Sequence, residues 1–427
     1  MQNCFPDQVE LGHLNLHQQK ANTIAKTLAQ SVQQITYGEL KMLPYSLHFD
    51  ETSPNRYKYG TFLARRVKQD FSSVESVLLD IYDIKGSNAD QAFLLYQKYI
   101  VQTDIEPLLV GVCLDNCNAM RGKDNSFTTR LQSRKNKATF PPCILHVLNL
   151  CEKSAFNFIP EDIVSLYRSL YNYFSSSLKR TDEFIKLPKK LGIDLTLITQ
   201  PAHTRWLSWC GTISKVNKKW KALEEYFKKP RLTNNLALMR LFRIPIEDDN
   251  STEDEIPETS LKETEKTIKA TLEKPETYLY SLFLESSLNH NSKYVKLFEK
   301  DNLDVSQVYS LLLEYCEYYI NKLRKFSALG IKTQDFMKNF EKPSYQEQYF
   351  MELEEYSTEF VDNFPTFDFE GLDQEVKVNI LNATKKYYLE ILIVLKKYID
   401  FDNIIFRELQ VLQLSYRSEN NISVWKS

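Results

Sequence analysis

Near residue 150 the hydrophobic pattern of this chain changes period, and that change limits the folds open to it. Before it, short runs either alternate apolar with polar or are apolar throughout, as β-strands do. After it, apolar residues return every three or four positions, as on one face of a helix. A length of 427 residues gives room for two or three structural units. With only 10 glycines and abundant Leu, Lys and Glu, helix should dominate overall.

Residues 1–42 are polar, with helical spacing at Ile24, Leu28, Val32 and Ile35, and read as a lead-in helix. "YSLHFDETS" (45–53) alternates Leu47 and Phe49 with polar neighbours and predicts a strand. "TFLARRV" (61–67) is its expected hairpin partner, and "SVESVLLDIYDI" (73–84) a third strand. "GSNADQAFLLYQKYIVQ" (86–102) reads as a helix with Ser87 or Asn88 as N-cap. "PLLVGVCLD" (107–115) has the near-continuous apolar character of a strand in parallel pairing. "CILHVLNL" (143–150) is open between a short strand and a helix start. Beyond it, "IVSLYRSLYNYFSSSL", "VYSLLLEYCEYYINKLRKF" and "NATKKYYLEILIVLKKYI" are helical in period. The stretch 247–265 holds nine acids against one lysine and reads as a mobile loop near 246–266. The expected units are 1–42, a core at 43–150 and a helical domain at 151–427.

Three strands, a helix and a strand open a ribonuclease-H-like fold. The expected class is therefore α/β (α+β), with a mixed sheet and a large all-α insertion domain, helix-dominated overall. In such a sheet the first and fourth strands are neighbours. That explains an acid at the mouth of an apolar run, where an uncompensated buried charge would cost several kcal/mol. Asp50, midway along the first strand, and Asp115, at the end of the fourth, can converge there. Converging carboxylates repel unless a divalent cation lies between them, which is how Mg²⁺ sites for phosphodiester chemistry are built.

Four segments resemble motifs of the hAT-family transposases and the host genes domesticated from them. "YSLHFDETS" is similar to the first-aspartate motif and "GVCLDNCNAMRGKDNSF" to the second, which places Asp50 and Asp115 in the first two catalytic positions. "CILHVLNL" resembles the Cys-x-x-His segment, through Cys143 and His146, whose role stays open. "HTRWLSW" resembles the Arg-Trp motif of the helical insertion, through Arg205 and Trp206. Order and spacing match across roughly 40–230. The resemblance implies a nuclear protein that binds DNA, with three acids holding two Mg²⁺ or Mn²⁺ ions, and with Arg205 and Trp206 near the DNA end.

The sequence departs from that family pattern twice. No paired Cys and His stand at zinc-finger spacing before Asp50. The third acid, a Glu after the insertion, has no counterpart in an apolar context, since Glu419 lies in the polar "SENNISVWKS". The resemblance therefore implies a truncated or domesticated protein with residual DNA affinity and no complete catalytic centre. Two alternatives stay open: an active metal-dependent transposase or nuclease using Asp50 and Asp115, and a non-enzymatic protein-interaction module.

The stretch "RGKDNSFTTRLQSRKNK" (121–137) has six basic residues and one acid. Arg121, Lys123, Arg130, Arg134 and Lys135 could track a phosphate backbone, or form a solvated helix face. Trp206 and Trp209 could stack on bases or anchor a core. Cys113-x3-Cys117 and Cys143-x2-His146, with His203 and Cys210, lack the paired spacing of zinc sites, so zinc is disfavoured.

A formal net charge of −2 gives no whole-molecule attraction to nucleic acid, so DNA binding, if present, is weak and rests on local patches. Seven scattered cysteines, an odd number, indicate free thiols in a reducing compartment. "MQNCFPDQVELGH" lacks a signal-peptide layout, and no apolar run reaches the roughly 18–20 residues that cross a bilayer. An intracellular, soluble protein without membrane contact is expected, with a protein partner or a second copy left open as cover for surplus apolar surface.

Overall fold

A computed structural model describes residues 18–52, 59–70, 72–83, 89–134, 138–190, 197–201, 206–228, 258–300, 303–352 and 371–402. The fold is α+β, with helix dominant and one small mixed sheet. The chain divides into two compact units, Met1–His146 and Val147–Ser427, beside the change of hydrophobic period.

The first unit opens with helix α1 (Gln18–Leu40), then β1 (Tyr45–Thr52), β2 (Tyr59–Val67) and β3 (Val74–Asp83). Helix α2 (Ala89–Tyr96), extended by a π-helical turn at Gln97–Val101, leads to β4 (Leu109–Cys113). The expected N-caps Ser87 and Asn88 lie outside the described residues. The sheet order is β3-β2-β1-β4; β1 pairs antiparallel with β2, β2 antiparallel with β3, and β1 parallel with β4.

Strand alternation sends Tyr45, Leu47 and Phe49 of β1, and Phe62 and Ala64 of β2, into one core with Val112, Leu114 and Tyr96. Each large apolar side chain so buried contributes about 1.5–3 kcal/mol. Phe49 and Phe62 pack with ring centroids 5.1 Å apart, and α4 (Phe127–Ser133) adds Phe127 and Leu131. Ser126 caps α4 by accepting the Thr129 N–H at 3.2 Å. A short helix, α3 (Asn118–Arg121), precedes it, so much of the basic stretch 121–137 is structured helix.

Residues 138–142 run alongside β4 in the parallel sense. The Val112 N–H donates to the Thr139 carbonyl, and the Thr139 N–H to that of Val110, each at 2.9 Å. Gly111 lets this strand close, because a Cβ there would stand 3.3 Å from Thr139 Oγ1 and 3.8 Å from Ser46 Cβ.

The ambiguous "CILHVLNL" is helix, α5 (Ile144–Ala155), whose Val147, Leu148 and Cys151 are buried at helical spacing. In the second unit follow α6 (Glu161–Ser175), α7 (Leu178–Lys190), α8 (Trp206–Lys218) and α9 (Trp220–Lys228). Then come α10 (Glu258–Leu272), α11 (Pro275–Phe298), α12 (Val305–Asn321), α13 (Thr333–Asn339), α14 (Pro343–Tyr349) and α15 (Gln374–Tyr398). Helix α10 corrects part of the acidic-loop expectation: residues 258–265 are helical. Ile268 and Leu272, one helical turn apart and buried, hold α10 in the core, and the Tyr173 hydroxyl donates to Glu265 at 3.2 Å. Residues 229–257 lie outside the described set. No helix among the described residues is long and apolar enough to cross a membrane.

Candidate two-carboxylate site

In the parallel pairing of β1 with β4, His48 stands opposite Cys113. Asp50 lies two residues further along β1, and Asp115 two residues beyond Cys113, just past the end of β4, so both stand toward the same end of these adjacent strands. Leu47, Phe49, Val112 and Leu114 are buried in the core, so the alternate positions His48, Asp50, Cys113 and Asp115 share the opposite face of the sheet. The acid at the mouth of the apolar run is thus not a buried charge. Asp50 is exposed and its Oδ1 accepts the Glu51 N–H at 2.9 Å. The Asp115 Oδ1 accepts the Cys117 N–H at 3.3 Å.

The loop after Asp115 is tied to the strand-like segment ahead of α5. Asn116, buried, donates from Nδ2 to the Cys143 carbonyl at 3.3 Å. Arg121 donates from Nη1 to the carbonyls of Phe140 and Pro141, at 2.8 and 3.0 Å. These bonds bring Cys143 beside β4. The neighbouring Cys113 thiol, with the backbone N–H groups of His146 and Leu145 at the start of α5, lowers the Cys143 thiol against the cost of burial. The Cys143 thiol, with burial, pushes Cys113 up.

His48 is a member of this face that sequence reasoning passed over. Burial, with the Arg65 guanidinium nearby, holds its imidazole below its ordinary range, and Ser46 Oγ lies 3.4 Å from Nε2. The signal was available: in "HFD" the histidine stands two positions before Asp50 and must share its face.

Among the described residues the arginines of the stretch 121–137 are held by internal partners. Besides Arg121, Arg130 pairs with Asp90 at 2.6 Å and donates to Asn125 at 2.7 Å. Arg134 forks onto Glu106, with Nε to Oε1 at 3.1 Å and Nη2 to Oε2 at 3.0 Å. Lys123 is exposed, and Lys135 lies outside the described residues. So do Arg205, His203 and the side chain of Trp206. Trp209 is fully buried against Phe156 and Tyr167, with ring centroids 5.3 and 6.0 Å away, and is a core anchor rather than a platform for bases. His146 is half-buried in the first turn of α5, and the Cys210 thiol donates to Asn289 at 3.2 Å. Among the described residues no three His, Cys, Asp or Glu side chains are grouped to hold a metal ion.

Comparison of the chain with models of known protein families and with curated proteins finds no match in either.

Proposed function

We propose that this chain is a DNA-binding protein of hAT-transposase descent, in which Asp50 and Asp115 keep a place for a divalent cation without a complete catalytic centre. The observation that carries the reading is the position of Asp50 near the end of β1 and of Asp115 just past the same end of the parallel neighbour β4. The strand order supports a ribonuclease-H-like sheet, since β1 lies between β2, to which it is antiparallel, and β4, to which it is parallel. The donor set suits Mg²⁺ or Mn²⁺, hard cations held by one or two carboxylates with water and phosphate oxygens. When bound, such an ion would neutralise charge on a phosphate oxygen. Asp50 and Asp115 would hold and orient it, while His48 and Cys113 flank it on the same face.

Arg121, Arg130 and Arg134 are spent on internal contacts, so few phosphate contacts remain. DNA binding should therefore be weak and salt-sensitive. Anisotropy of a labelled duplex, followed while salt is raised, tests this. Weak binding at low salt that fades on addition of salt is expected; no binding at low salt overturns the reading. The nucleus is the compartment it implies.

A second reading, a protein-interaction module, is favoured by a separate observation. Val74, Leu78 and Ile81 of β3 are 52%, 51% and 55% exposed, and Ile24, Leu28, Val32 and Ile35 line one exposed stripe of α1. Apolar surface of that kind marks association sites. Self-association seen by sedimentation, together with no DNA binding, would select this reading.

A further inference from the structure

We propose that a cavity in the helical unit binds a small organic carboxylate, its head group on Arg168 and Lys153 and its apolar body against the surrounding helices. The proposal is independent of Asp50 and Asp115, which belong to the other unit.

The cavity, about 730 Å³, is lined by the end of α5 and the segment joining it to α6, by α6 itself, and by α11 and α15. That size suits an organic molecule rather than a simple ion, since ligand pockets run to roughly 300–1,000 Å³. Its apolar walls include Phe156 and Ile159 of the joining segment, Val164 of α6 and Tyr280 of α11, all buried. Phe156 is fixed in turn by Trp209 and Tyr387, with ring centroids 5.3 and 6.1 Å away. Walls carried by packed helices stand before a ligand arrives, so binding does not have to order them.

The polar groups set the charge of the ligand. Arg168 and Lys153 line the cavity, and Glu161 is the one acid among the described residues that do. The Arg168 guanidinium lies over the Trp209 ring, 5.4 Å from its centroid, which holds its planar fork in place. Lys153 is exposed at the rim, and the amides of Asn157 and Asn379 add N–H donors. A guanidinium so held matches the two oxygens of a carboxylate. Two cations less one acid leave a single positive charge, which suits a monoanion better than a phosphate dianion. The apolar walls require a body to cover them, because a bare ion would lose hydration there and bury no apolar area.

The test is isothermal titration calorimetry of the full chain with octanoate, beside acetate as the head group alone and 1-octanol as the body alone. One octanoate per chain is expected, with acetate and 1-octanol each bound about tenfold more weakly or worse. Lys153→Gln, at an exposed position, should weaken octanoate about fivefold, and Glu161→Gln, which removes the acid of the cavity, should tighten it about threefold. Glu263→Gln makes the same charge change on α10, away from the cavity, and should leave the affinity where it was. Ala383→Phe puts a ring into the cavity and should abolish binding while circular dichroism shows the fold intact. If that variant fails to fold, the Lys153 and Glu161 variants still decide. No octanoate binding overturns the proposal. So does equal affinity for octanoate and 1-octanol, tighter binding of octyl phosphate than of octanoate, or wild-type affinity in both Lys153→Gln and Glu161→Gln.

Discussion

Tyr387 of α15 donates its hydroxyl to Glu152 of α5, a carboxyl with no exposure to solvent, although the two residues stand 235 positions apart. The other Glu152 oxygen, Oε1, has no hydrogen-bond partner among the described residues. Burial lifts this carboxyl to about 7, with the hydroxyls of Tyr387 and Tyr319 pulling the other way.

A pH-dependent stability follows. Between the ordinary carboxyl range and about 7, the folded chain holds a proton on Glu152 that the unfolded chain has released. The stabilisation is therefore complete at low pH and lost as pH rises through about 7, by roughly 3 kcal/mol. His290, stacked on Tyr318 with ring centroids 3.8 Å apart, acts oppositely. Burial lowers its imidazole to about 4, so its contribution is present above its ordinary range and lost as pH falls. The two slopes offset each other in the wild type. Glu152→Gln, which keeps the acceptor and removes the titration, should unmask the histidine, so that stability climbs from about pH 5 to about pH 6.5. Urea unfolding across that range checks it; identical pH curves for variant and wild type would rule out the buried proton.

Trp209→Ala should cost about 3–5 kcal/mol, because a fully buried indole leaves a cavity against Phe156 and Tyr167. Equilibrium unfolding measures this directly. A variant of near wild-type stability that had lost DNA affinity would return Trp209 to a base-stacking role.

Arg66 of β2 joins three elements, with its guanidinium paired to Glu39 of α1 and, at 2.9 Å, to Glu75 of β3. Its side chain is only 10% exposed, so Arg66→Ala leaves two acids facing each other and should destabilise the first unit by about 2–4 kcal/mol. Urea unfolding followed by far-ultraviolet circular dichroism gives the value; a change below about 0.5 kcal/mol would mean the pair is no better than an exposed one.

Lys123, exposed and outside the ion pairs, should be a phosphate contact where Arg134 is not. Lys123→Ala should reduce the slope of DNA affinity against salt by about 1 with stability unchanged. Arg134→Ala should lower stability through loss of its fork onto Glu106 and leave that slope in place. Equal slopes for Lys123→Ala and wild type would contradict a role for Lys123.

Much of the sheet was legible because strands announce themselves by period. "YSLHFDETS" and "TFLARRV" are the paired β1 and β2, and the apolar run ending at Asp115 contains the parallel β4. That run overshot: residues 106–108 are a 3-10 turn, where Pro107 cannot donate to a ladder. The start of α5 was illegible, since eight mostly apolar residues fit a strand or a buried helix until tertiary packing decides. Asp50 and Asp115 stand out in the sequence because an acid next to an apolar strand is chemically conspicuous. For the basic residues of 121–137, composition shows charge but not the acid each charge meets; Glu106 and Asp90 come from outside the stretch. Glu152 gave no signal, since a glutamate within a helix is ordinary until its side of the helix is packed over.

The most direct test of the carboxylate pair is Mn²⁺ binding, read from the electron paramagnetic resonance signal of the free ion, in the wild-type chain and in Asp50→Asn and Asp115→Asn with a short duplex present. A single weak Mn²⁺ site in the wild type, lost in both variants while their folds persist, is the predicted result. Unchanged Mn²⁺ binding in either variant, or none in the wild type, would contradict a cation site between Asp50 and Asp115.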